Sequence, residues 1–195
     1  DDQDVAQDDY VETLVRQKGP ATNYLTSLEP RADMGLTRAS FGLAEDDVVA
    51  MSAGSLAKLG HNCLATMMRA VREIPNGRLL LAPYNPGWAG LTLAIPFNQQ
   101  IAETAEDVGL PLERITVLGE LTVAETEAAL SLSDIYLNPF PHGGATMTHL
   151  ALIYAKPPIT LLRQSTRSID QFLLNALGFD ELVAATTDDY VALAK

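Results

Sequence analysis

The stretch Asn138-Pro139-Phe140-Pro141-His142-Gly143-Gly144-Ala145-Thr146-Met147-Thr148 gathers the residue types from which anion sites are built. The apolar run Asp134-Ile135-Tyr136-Leu137 leads into it, and His149 to Ala155 leads out. This reads as a buried strand, a glycine-rich turn and a helix start. Gly143 and Gly144 let backbone approach a ligand closely. Ala145 continues that backbone, and Thr146 and Thr148 fall in the first helical turn, beside N–H groups that have no intrahelical partner. Such a helix start binds phosphate readily. The same pattern also fits an ordinary capped turn between a strand and a helix.

A second segment repeats the plan. Val48 to Ala53 is an apolar strand, followed by Gly54-Ser55-Leu56-Ala57-Lys58. A lysine on the loop after a parallel strand meets a phosphate as a point charge; its plainer reading is a solvated surface lysine. Arg163 and Arg167, around Gln164-Ser165-Thr166 after the strand from Pro158 to Leu162, form a third candidate, since arginine beside small hydroxyls suits a diphosphate or a sugar. His142 is a fourth candidate ligand contact, beside the glycines.

These loops need elements to hold them. Leu64, Met67, Met68 and Val71 recur at helical spacing within 62–73, and Phe97 to Val108 is amphipathic up to Gly109, a suitable helix stop. Strands are expected at 78–84, 114–118, 134–137, 158–162 and 182–185. Helices are expected from Thr122, with Glu125 as its capping-box partner, from 145 to 155, from 168 to 177 and from a Thr187 cap. Val11 to Val15 reads as a short strand, and Pro83 to Trp88 as a turn-rich loop. Alternating strands and helices of these lengths imply an α/β fold, a Rossmann-like parallel sheet with helices on both faces. In such sheets ligands bind outside the carboxyl ends of the strands. The Lys58 loop and the 142–148 loop both sit at such ends, so they are expected to share one crevice.

Bulk properties narrow the partners. The 195 residues carry 47% hydrophobic and 19% charged side chains, as a globular chain does. The net charge of −12 argues against nucleic acid and anionic membrane surfaces. An anion site must therefore be a local exception built from amides, a helix terminus and one or two cations. No apolar run reaches the length of a membrane span. A single cysteine, Cys63, allows neither an intrachain disulfide nor a thiolate metal cluster, and a reducing cytoplasmic setting fits it. A metal-binding receiver fold is disfavoured, because the first strand ends in Met51-Ser52-Ala53-Gly54 rather than in an acidic cluster.

Four groups of residues resemble a known family. They are Phe41-Gly42-Leu43 with Glu45-Asp46, Ser55-Leu56-Ala57-Lys58-Leu59, Val108-Gly109-Leu110-Pro111 through Arg114-Ile115, and Asn138-Pro139-Phe140-Pro141 with Gly143. Ile169-Asp170, Leu177-Gly178 and Asp189-Tyr190-Val191 extend the likeness. In this order they resemble the C-terminal half of a GT-B glycosyltransferase of the family containing O-GlcNAc transferase, the SPINDLY-type enzymes and bacterial cytoplasmic adhesin N-glycosyltransferases. The resemblance implies that residues 41–195 hold a nucleotide sugar, with UDP as the expected nucleotide. It implies inverting transfer of a hexose or N-acetylhexosamine to Ser/Thr or Asn, without a metal or other cofactor. Lys58 matches the lysine that neutralises the departing UDP. Ser55, Gly143, Gly144 and Thr146 match donor-contacting positions.

The departures from the pattern are Leu150, where the family places a ribose-holding acid, and Glu120, Val123 and Thr126, near basic residues of family members. Residues 1–40 read as a lead-in from a preceding domain. The acceptor is expected to come through an N-terminal domain that this chain lacks. The alternative is a GT-B-like binding module that has lost donor chemistry.

Overall fold

The computed structural model describes residues 11–13, 34–84, 93–162 and 169–195. Of the expected strand at 11–15, residues 11–13 are described and form a bend instead, with Val11 fully exposed and so without the burial that favours a strand. Residues 14–15, most of the loop at 83–88, and Arg163 and Arg167 lie outside the described residues. Among the described residues, six strands, β1 (Val48–Ser52), β2 (Gly77–Leu81), β3 (Ile115–Val117), β4 (Ile135–Leu137), β5 (Pro158–Leu161) and β6 (Val183–Ala184), alternate with six helices. The helices are α1 (His61–Glu73), α2 (Ala94–Val108), α3 (Val123–Leu132), α4 (Thr146–Ile153), α5 (Ile169–Leu177) and α6 (Thr187–Leu193). All strand pairings are parallel, in the order β3-β2-β1-β4-β5-β6. The chain winds outward from β1 in one direction and, after β3, crosses back to place β4 on β1's other side. This is the α/β Rossmann-like sheet that the alternation implies.

The two-residue period of the strands divides the core into two faces. Ala50, Leu79, Leu81 and Leu137 point to one face, where α1 supplies Leu64, Met67, Met68 and Val71 and α6 supplies Tyr190 and Val191. Val49, Met51, Leu80 and Tyr136 point to the other, against Ala129 and Leu130 of α3 and Ala151 of α4. Phe41 and Leu43 close that second face, and Gly42 between them is left-handed at φ 71°. Arg38 anchors this entry: its Nη2 reaches both Asp134 carboxylate oxygens at 3.0 and 2.9 Å. Asp134 Oδ2 also accepts the Val49 N–H at 2.7 Å. One carboxylate thus ties the entering segment to the start of β1.

Element ends follow local chemistry. Thr122 and Glu125 form the expected capping box at α3. At α6 the cap is Thr186 rather than Thr187: Thr186 is extended, its hydroxyl accepts the Asp189 N–H, and the Asp189 carboxylate accepts the Thr186 N–H at 3.0 Å. β2 ends at Leu81, earlier than the expected Tyr84. Pro83, which has no N–H to donate, suits an early end. α4 stops at Ile153, and Ala155 takes a left-handed φ of 53°.

Arg114 performs the most concentrated capping. Its Nε donates to Gly77 O at 2.8 Å, and its Nη2 donates to Val71 O at 2.7 Å and Ile74 O at 2.8 Å. The guanidinium neutralises the carbonyl end of α1 and pins the turn into β2. A Cβ at Gly77 would lie 2.9 Å from Nη2 and 2.7 Å from Val71 O, so a glycine is needed there. Replacing Arg114 by Met is expected to destabilise the fold by about 2–3 kcal/mol, because charged hydrogen bonds to buried carbonyls are lost. Arg114→Lys should restore little of it, since one ammonium cannot reproduce the fork. Urea denaturation midpoints at constant slope check this, and wild-type stability in the Lys variant would refute the clamp.

Candidate functional site

The strand order reverses between β1 and β4, so the loops leaving these neighbouring strands diverge and open a crevice. The loop after β1 carries Lys58 at the end of a single 3₁₀ turn, Leu56–Lys58. The loop after β4 runs from Asn138 to Ala145, with Phe140–Pro141 cis. The two meet directly: Lys58 Nζ donates to Gly143 O at 2.7 Å. The shared crevice expected from strand-end placement is present.

Asn138 shapes the second loop. It is buried at the end of β4, where its side-chain oxygen accepts the Gly144 N–H at 2.8 Å and its Nδ2 donates to Thr160 Oγ1 at 3.2 Å. Its backbone carbonyl accepts the Tyr190 hydroxyl at 3.0 Å. Asp170, 2% exposed at the start of α5, accepts the Thr148 hydroxyl at 2.6 Å. The glycines make room for these groups. A Cβ at Gly143 would fall 1.7 Å from Asp170 Oδ2, and one at Gly144 would fall 2.8 Å from Asn138 Oδ1 and 3.0 Å from the Tyr136 hydroxyl. A Cβ at Gly54, on the facing loop, would meet Pro139 Cγ at 2.9 Å. Burial, reinforced by the charge of Asp170, pushes the Tyr136 phenol far above its ordinary range, so it stays neutral beneath the loop.

Above this floor lies a cavity of about 380 Å³, within the range of small-molecule sites. Lys58, Ser55, Gly144 and Thr146 line it, all residues picked out from the sequence. Ala53, Gly54, Val123, Thr126, Glu127, Met147 and Leu150 complete the wall. Thr146 is the first residue of α4, and no side chain caps that helix; its N-cap, Ala145, holds the unusual φ of 31°. The N-terminal turn therefore faces the cavity with partial positive charge, on the same side as the Lys58 ammonium.

Other candidates sit elsewhere. Thr148 is fully buried and spends its hydroxyl on Asp170, so it braces the loop from below instead of facing the cavity. His142 is exposed, and neither it nor Ala145 lines the cavity. Three of the departing positions, Val123, Thr126 and Leu150, do line it. Sequence reasoning missed Asn138 as the organiser of the loop and Glu127 as a wall residue. An amide at the end of an apolar strand, just before two glycines, is a legible sign of the first. Nothing local marks the second, because Glu127 reads as an ordinary helix-surface acid.

Fold and site together define a Rossmann-like α/β domain with its crevice at the strand-order switch, an architecture shared with the matching part of a solved O-GlcNAc transferase. No protein-family model matches the chain. In sequence it is similar to plant proteins named "probable UDP-N-acetylglucosamine–peptide N-acetylglucosaminyltransferase SPINDLY". The Hordeum vulgare protein is 29% identical over 147 residues, covering 73% of this chain and 15% of the relative. The Solanum lycopersicum protein is 26% identical over 196 residues, covering 97% and 19%. The chain thus spans less than a fifth of the length of these relatives. Among solved structures, an O-GlcNAc transferase variant from Thermobaculum terrenum matches with a TM-score of 0.66 at 22% identity, over 86% of this chain and 30% of that one. An E. coli trehalose-6-phosphate structure bound with UDP-2-fluoro glucose matches at 0.51 and 16% identity, over 76% and 36%. The resemblance read first from short motifs thus recurs as a likeness in sequence to SPINDLY proteins and in fold to an O-GlcNAc transferase.

The loop packing gives a direct expectation. Gly143→Ala should destabilise the fold by about 1–3 kcal/mol, since the new methyl overpacks against the Asp170 carboxylate. In an Asp170→Ala background the same change should cost clearly less. A double-mutant cycle by urea denaturation reads the coupling, and strict additivity would show that the glycine is not there to admit Asp170.

Proposed function

We propose that this chain is the donor-binding half of an inverting protein glycosyltransferase that uses a UDP-linked hexose or N-acetylhexosamine. One observation carries the reading: the ammonium of Lys58 and the uncapped start of α4 converge on one cavity at the switch point of the sheet. In a chain of net charge −12 this is a local positive site. The names of the SPINDLY relatives, and the UDP sugar in the E. coli structure, support UDP as the nucleotide.

The diphosphate would take its place between Lys58 and the N-terminal turn of α4. There a phosphate oxygen replaces the Gly143 carbonyl as the acceptor of the Lys58 hydrogen bond. As the bond from the sugar to UDP breaks, negative charge builds on the leaving phosphate. A fixed ammonium stabilises that charge without reorganising, an effect often worth ~3 kcal/mol or more. Gly144 brings backbone within reach, and Ser55 and Thr146 supply hydroxyls. The acceptor Ser, Thr or Asn, and the group that takes its proton, would come from a further domain.

A second reading, a binding module without transfer chemistry, is favoured by one feature. The position where the family carries a ribose-holding acid is Leu150, an apolar part of the wall.

UDP should bind the wild-type domain, and Lys58→Ala should weaken it by about 1.5–3 kcal/mol, roughly ten- to hundredfold. Isothermal titration measures it, and equal affinity would make Lys58 a bystander. Residues 1–195 alone should transfer almost no sugar, because positioning of the acceptor can supply ~7–11 kcal/mol and on this reading belongs to a further domain. Radiolabelled donor, with and without an added N-terminal domain, checks this. Robust transfer by the isolated chain would place the base within this domain.

A further inference from the structure

Among the described residues that line the cavity, Lys58 is the one cation and Glu127 the one carboxylate. Glu127 belongs to α3. With Val123 and Thr126 it occupies positions i, i+3 and i+4, the spacing that puts three side chains on one helix face, and here that face is the cavity wall. The residue is 5% exposed, and its Oε2 accepts the hydroxyl of Tyr154, at the end of α4, at 2.9 Å. That bond bridges the two helices flanking the cavity and holds the carboxylate in one orientation.

A cation and a carboxylate in one cavity of about 380 Å³ sort a ligand by charge along its length. Phosphate is repelled by Glu127 and drawn to Lys58 and the start of α4. The part of the ligand beside Glu127 must be neutral and must donate hydrogen bonds, because an ionised carboxylate only accepts them. A vicinal diol meets that demand well, with two hydroxyls that can donate to one carboxylate in charge-assisted bonds. Val123, Met147 and Leu150 line the rest with apolar surface suited to the flat face of a ring.

We infer that Glu127, positioned by Tyr154, recognises the ribose diol of the nucleotide. This rests on the donor-site reading above and assigns the nucleoside end of that site to α3. The nucleotide then lies with its phosphates toward Lys58 and its ribose toward α3, and the sequence position Leu150 contributes only apolar contact.

The test titrates the 195-residue chain with UDP and with 2′,3′-dideoxy-UDP. Wild type should bind the dideoxy ligand roughly tenfold or more weakly. Glu127→Gln, which keeps shape and can still accept from Tyr154, should bind UDP several-fold more weakly yet bind the dideoxy ligand as wild type does, so the discrimination collapses. The double variant Glu127→Leu with Tyr154→Phe removes carboxylate and hydroxyl together and should behave likewise; it guards against failure of the single variant to fold. Wild type that binds neither ligand sinks the donor-site reading and this inference with it. Binding of both ligands that Lys58→Ala weakens, with a dideoxy penalty either absent or unchanged in the Glu127 variants, overturns this inference alone.

Discussion

The site depends on how Asn138 is held. It ends β4 with every polar group engaged: its N–H donates to Ile159 O at 3.0 Å, its carbonyl accepts from Tyr190, and its amide spans Thr160 and Gly144. Three elements, β5, α6 and the start of α4, are thereby referred to one residue. A buried amide left half-satisfied would be costly, so the loop has little freedom to adopt another path. Gly144 is fixed by this amide, and Gly143, one residue before it, presents its carbonyl to Lys58.

The glycines take on a second meaning in this light. In the sequence they look like a cradle for phosphate. In the fold, Gly143 admits a carboxylate, Gly144 an amide and a phenol, and Gly54 a proline ring. Each allows protein to approach protein, and the cavity is what remains when those approaches are complete. The two roles are compatible, because a loop packed this tightly from below turns its backbone toward the open side. Only Gly144 of the pair lines the cavity.

Charge is managed locally. The protein carries an excess of carboxylates, yet the described lining of the cavity holds one cation, one acid and a helix start. The acids near the loop are committed elsewhere. Asp170 is buried under Gly143 and bonded to Thr148, and Asp134 serves Arg38 and β1 at the opposite end of the sheet. The proposed anion site needs this separation, since an uncommitted carboxylate beside Lys58 would offset its charge.

Much of the fold was legible from local pattern. Val48 to Ala53 read as a buried strand, Leu64 to Val71 as a core-facing helix stripe, and Gly109 and Gly178 as helix stops; both glycines adopt positive φ. These are short-range matters of side-chain period and backbone sterics, which neighbouring residues decide between them. The rule that ligands sit at strand carboxyl ends then brought Lys58 and Gly143 to one crevice across 85 positions of chain. What local pattern could not decide was which polar side chains the fold would consume. Thr146 and Thr148 are two residues apart and chemically identical, yet one faces the cavity and the other is buried on Asp170. Glu127 and Glu125 sit on the same helix, yet one caps it and the other faces the site. Helical geometry points such neighbours in different directions, and only the packing of α3, α4 and α5 around the sheet determines which direction meets protein and which meets open space.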